Sequence, residues 1–170
     1  SGEEVVIEER IDHDLYVAGG TVTLNAPVKG DLVVAGGTVI VNDSVTQDIL
    51  VAGGKISMNG FVGDDIRCAG GTVEFDGTLS GDFIATGGRV SIQKKAIVSG
   101  NLLSSGGEVT LDGNVKGDVK NASGRFTLNG TAERELECKG GKIIINGAVN
   151  GNAVMAAEVI EVGSGARFSK

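Results

Sequence analysis

Residues 31–47 read DLVVAGGTVIVNDSVTQ. Two alternating aliphatic runs, Leu32-Val33-Val34 and Val39-Ile40-Val41, flank a double glycine. Taken alone, the stretch is a strand, a corner and a second strand. The triplet Ala-Gly-Gly, however, also stands at 18–20, 52–54 and 69–71, always offset by the same interval from its neighbour. A feature that returns at fixed spacing belongs to the whole chain, and internal periodicity is the first property to explain.

Each unit opens on an acidic or amide residue: Asp14, Asp31, Asp48, Asp65, Asp82, Asn101, Asp118, Glu135 and Asn152. Every step is +17 except one of +19, where QKKAIVSG (93–100) carries two extra. Nine units run from 14 to 168, and Val5, Ile7 and Ile11 fit as the tail of an earlier one. With the opening residue as position 0, positions 1, 3, 8, 10 and the valine-type residue that ends each unit (Val28 in the first, Ala166 in the last) are apolar or Cys at 43 of 45 places; Ser104 and Asn121 are the exceptions. Alternation of period two means strand. Between the strand pieces lie Gly-Gly pairs, Asn-Gly or Asp-Gly pairs, and a closing Gly in many units. Gly and Asn tolerate positive φ, so the spacing predicts sharp corners of that kind.

Identical units of odd length favour stacking like on like, each strand parallel over its copy, rather than hairpins. The expectation is an all-β, single-domain parallel β-helix (a β-solenoid) of about nine 17-residue coils. Residues 1–13 form an N-terminal tail and partial coil, 14–168 the β-helix domain and 169–170 a C-terminal tail. At about 4.8 Å per coil the domain makes a rod of roughly 40 Å. One coil cannot bury five aliphatics, whereas a stack can.

Composition agrees. Of 170 residues 41% are apolar but only 4% aromatic, so the core is aliphatic; 29 Gly and one Pro suit tight corners and argue against a collagen-like chain. The net charge of -7 speaks against nucleic acid, which needs a Lys/Arg surplus. No apolar run approaches the ~18 residues of a membrane span. The chain opens with Ser-Gly rather than Met, which suits either a lost export signal or a trimmed scar.

The pattern GDLVVAGGTVIV, followed by NG-x-V-x-G-D as in NGFVGDDIRCAGGTVEFDGTLSGDF, closely resembles bactofilins, the polymer-forming cytoskeletal proteins of bacteria. The resemblance covers 14–168. It implies a right-handed, three-sided β-helix that polymerises end to end without nucleotide and serves as a non-catalytic scaffold for cell shape and envelope-modifying enzymes. The chain is more similar to the VAGG-rich, exported branch than to the short cytoplasmic type, whose members are membrane-associated. Residues 1–13 and 169–170 do not read as the basic or amphipathic tail by which such proteins are anchored. The last unit departs from the pattern, with Ala157-Glu158 in place of Gly-Gly.

Catalysis finds little support. His13 is the single His, and neither a Ser-His-acid set nor a metal set can be assembled around it. A left-handed acyltransferase β-helix would read as hexapeptides, three to a coil, and would need a His between coils. No cofactor or metal site is expected. The acidic column at position 0 could hold cations, since like charges ~4.8 Å apart repel by roughly 0.9 kcal/mol. The favoured reading is a corner whose side chains cap backbone N–H groups. Cys68 and Cys138, both at position 3 and four coils apart, would be about 19 Å from each other, beyond disulfide reach, and read as core residues.

Two surfaces remain as candidates. Position 2 faces outward and carries Tyr16, Val33, Leu50, Ile84 and Leu103, an apolar stripe suited to lateral contact. The rod tips carry Val5 and Ile7 at one end and Ile160, Val162 and Phe168 at the other, with Phe168 placed to fold over the last coil. The leading expectation is a self-assembling scaffold joined at its tips, its partner being itself, with envelope or membrane proteins as further partners. The alternative is an exported cell-envelope ectodomain that acts as a protein- or ligand-binding module.

Overall fold

The computed structural model describes residues 2–169. Ten strands form one sheet: β1 (Gly2–Ile7), β2 (Leu15–Leu24), β3 (Leu32–Val41), β4 (Ile49–Met58), β6 (Ile66–Phe75), β8 (Phe83–Ile92), β10 (Leu102–Leu111), β12 (Val119–Leu128), β14 (Leu136–Ile145) and β16 (Ala153–Val162). Seven two-residue strands form another: β5 (Phe61–Val62), β7 (Thr78–Leu79), β9 (Ile97–Val98), β11 (Asn114–Val115), β13 (Thr131–Ala132), β15 (Ala148–Val149) and β17 (Arg167–Phe168). The described residues contain no helix. Every pairing is parallel and in the register of the repeat: Leu15 lies beside Leu32, Leu32 beside Ile49, Ile49 beside Ile66. The chain is a β-solenoid of nine coils, ten turns when the partial first one (β1) is counted.

The long strands are not flat. In β3, Leu32 and Val34 are buried, then Val39 and Val41. The step from Val34 to Val39 is odd, so the inward phase reverses and the strand turns a corner at Gly36-Gly37. A third inward group, Val28, Val45 and Val62, stacks through the short strands and the isolated bridges before them. Three inward groups give three sides around one core, which runs unbroken from Val22 to Val149. Phe75 and Phe83, with centroids 5.2 Å apart, are its largest aromatic contact.

The corners correct one expectation. No described residue, glycine or other, has positive φ. Glycine is needed for close approach instead: a Cβ on Gly53 would lie 2.7 Å from the Gly36 carbonyl oxygen, and one on Gly70 2.6 Å from that of Gly53. The coil beneath leaves no room for a side chain, so the glycines report stacking rather than turn type. Ser123 is the one exception inside the stack, and its hydroxyl donates to the Arg125 carbonyl oxygen at 3.0 Å.

The last coil corrects another. Phe168 does not fold over the tip. It pairs in register with Val149, at the longer step that also sets Val98 beside Leu79. The turn that makes room is the same in both places: Ala166 N–H donates to Gly163 O at 3.1 Å, and Ala96 N–H to Gln93 O at 3.0 Å. The final coil therefore carries a second two-residue insertion. Phe168, not Ala166, closes its third side.

Candidate functional site

Position 0 is a chain of caps running up one edge. The Asp14 carboxylate accepts from the Asp31 N–H at 2.9 Å, Asp31 from Asp48 at 3.0 Å, Asp48 from Asp65 at 2.9 Å and Asp65 from Asp82 at 2.8 Å. Asp82, Asn101 and Asp118 continue the series. Each acid thus satisfies a backbone donor of the coil above. Asp48, Asp64 and Asp65 come close enough to one another to suggest a cation site. The Arg67 guanidinium already sits there, 3.1 Å from Asp65 and 3.5 Å from Asp48.

A second ladder, at position 11, was missed by sequence reasoning. The Asn42 amide donates to Asn25 at 2.9 Å and Asn59 to Asn42 at 3.0 Å; farther along, Asn129 donates to Asp112 and Asn146 to Asn129. The signal for it, an Asn, Gln or Asp recurring once per coil from Asn25 to Asn146, is the same one that points to turn chemistry.

The two polar exceptions in the core meet each other. Ser104 Oγ donates to Asn121 Oδ1 at 3.1 Å, and the Asn121 amide donates to Ser123 Oγ at 2.8 Å and to Cys138 Sγ at 3.4 Å. All four are buried. Cys68 and Cys138 are free, and burial pushes both thiols up to about 12, so they stay protonated and unreactive at neutral pH. His13 is exposed and rests its Nδ1 2.9 Å from the Asp14 carbonyl oxygen.

The outer stripe is in register along the first side: Tyr16 beside Val33, Val33 beside Leu50, Leu50 beside Arg67, Arg67 beside Ile84, Ile84 beside Leu103. Tyr16 (72% exposed), Leu50 (53%) and Leu103 (51%) project most; Ile84 is less exposed and Val33 half-buried. Position 4 beside it holds small side chains, Ala18, Ala35, Ala52 and Ala69, then Thr86 and Ser105. A groove of about 1170 Å³ runs along these two columns.

At the tips, Val5 and Ile7 are half-buried on β1, whose neighbour β2 covers one side only. At the far tip Ile160 (43%), Val162 (56%) and Phe168 (48%) hold inward positions but are open to solvent. Glu3, Glu4, Glu8 and Glu9 make the first tip acidic. Among the described residues no helix is long and apolar enough to cross a membrane. Compared with protein-family models, with curated proteins and with solved structures, the chain has no match.

Proposed function

We propose that the chain is a structural, bactofilin-like scaffold whose rods join end to end into filaments. The observation that carries this reading is the state of the last coil: Ile160, Val162 and Phe168 occupy core columns yet remain exposed. Within the stack the same columns are closed by the next coil. A tip of another copy would close them by the same contacts, adding in-register sheet hydrogen bonds along β16 and β17 and burying aliphatic surface. The resemblance of the repeat to bactofilins points the same way. The reading assigns no catalytic residue and no cofactor, and it sets the rod in the bacterial cell envelope, on the exported side in preference to the cytoplasmic face.

Negative-stain electron microscopy tests it. Filaments should form over a range of salt and protein concentration, and Ile160→Lys with Val162→Lys should shorten or abolish them while circular dichroism stays that of β-structure. Monomers alone under every condition would discard the filament. The apolar groove favours a second reading, an exported envelope module that binds a partner on its first side. Capture of one defined envelope protein by a rod that never polymerises would put that reading first.

A further inference from the structure

We propose that the first side of the solenoid is a self-complementary surface that pairs two copies of this chain side by side, their axes parallel. This pairing is independent of assembly at the tips.

Position 2 is a ridge and position 4 a trough, running the length of the same face. Consider two copies facing each other about a two-fold axis that runs along the solenoid direction over position 3. Position 2 of one copy then lies opposite position 4 of the other, in the same coil. Leu50 meets Ala52, Val33 meets Ala35, Tyr16 meets Ala18 and Leu103 meets Ser105. Each large side chain finds a small one, and the contact is isologous, as a closed dimer requires. Antiparallel axes would set ridge on ridge and leave both troughs empty, so shape selects the parallel pair.

Charge agrees at two levels. Arg67 interrupts the ridge, but its guanidinium is drawn off to Asp48 and Asp65 at the edge, which leaves its aliphatic stem in the stripe. At the far end of the face, Glu137 lies opposite Lys139 of the second copy and Lys139 opposite its Glu137; within one copy these two already attract, at 3.2 Å.

The area is adequate. The groove extends over eight coils, from Tyr16 to Glu137. At ~4.8 Å per coil and ~3.3 Å per residue the face is roughly 34 Å by 16 Å, and two copies bury on the order of 1,100 Å² together, just under the range of stable pairs and within that of weak, reversible ones. A micromolar dissociation constant is expected.

Two measurements test the pairing. Sedimentation velocity should show a reversible dimer in the micromolar range, and Ala52→Leu with Ala69→Leu, both at exposed positions, should weaken it by about tenfold or more by filling the trough. Leu50→Cys mixed with Ala52→Cys should form an intermolecular disulfide on mild oxidation, whether or not rods also join at their tips. The native cysteines are buried and stay out of the reaction. Cross-linking of Leu50→Cys to Leu103→Cys instead, a monomer at every concentration, or a lipid or foreign peptide that co-purifies on the stripe would each overturn the proposal.

Discussion

The coil that contains β14 and the coil that contains β16 both set β-branched aliphatics at positions 8 and 10, in opposite surroundings. Ile143 and Ile145 are fully buried, whereas their register partners Ile160 and Val162 are 43% and 56% exposed. Both coils offer aliphatics to these two columns; position in the stack decides which pair is buried. In this fold a coil covers its neighbour's core, and burial is a property of the interface between coils rather than of the coil itself. The last described coil therefore presents the same kind of surface by which the coils hold one another.

The sharpest way to break the comparison is to truncate the same column at both places. Ile143→Ala should cost about 2–5 kcal/mol, the transfer loss plus the cavity left between two fixed coils. Ile160→Ala should cost well under half as much, because water already reaches the site and no cavity is sealed. Urea unfolding with a constant m-value measures both. Equal costs would mean that the last coil is covered by something other than solvent.

How much of this was legible in the sequence depends on what a repeat can encode. The five inward columns could be read because burial of an aliphatic and period-two alternation are the same constraint; Leu32, Ile49 and Ile66 stack as the spacing requires. The reason for the glycines could not. Positive φ and a close carbonyl both select Gly, and only coordinates separate them; here the carbonyl decides. The closing residue of the last coil was misplaced because GSGA at 163–166 offers small residues to the same register, and where the extra turn opens is a matter of backbone hydrogen bonding. The stripe was visible as side chains at position 2. Its complement was overlooked, since a column of alanines at position 4 carries no signal until it is seen beside a ridge.

The polar patch in the core gives a smaller contrast between the same two regions. Asn121 sits at position 3 in the middle of the stack, fully engaged with Ser104, Ser123 and Cys138. Met155 holds that position in the last coil and is only partly buried. Asn121→Ala should cost about 1–3 kcal/mol, since the hydroxyl of Ser104 is left without an acceptor in an apolar interior. Asn121→Val combined with Ser104→Ala should recover most of the loss, because both polar partners then leave together. Met155→Asn should cost less than Asn121→Ala. A double-mutant cycle on Ser104 and Asn121 reads the coupling, and strict additivity would show that the two do not act as a unit.

The smallest effect lies on the rim, where the cap ladder gives the comparison its finest grain. Asp48 accepts the Asp65 N–H, and Asp82 accepts the Asn101 N–H at 2.7 Å, but the described hydrogen bonds of the series end where Asp118 accepts from Glu135. Asp48→Ala should cost about 1 kcal/mol, the usual loss of a side-chain acceptor for a backbone donor. Asp48→Asn should cost less, for the protein already runs that experiment: Asn101 caps the Asp118 N–H at 2.8 Å through an amide oxygen. Asn152→Ala, in the last coil, should be neutral within error. The rank order matters more than the sizes. If Asp48→Asn were as damaging as Asp48→Ala, the negative charge rather than the acceptor geometry would be what the column supplies, and the Arg67 ion pairs would become the term to examine next.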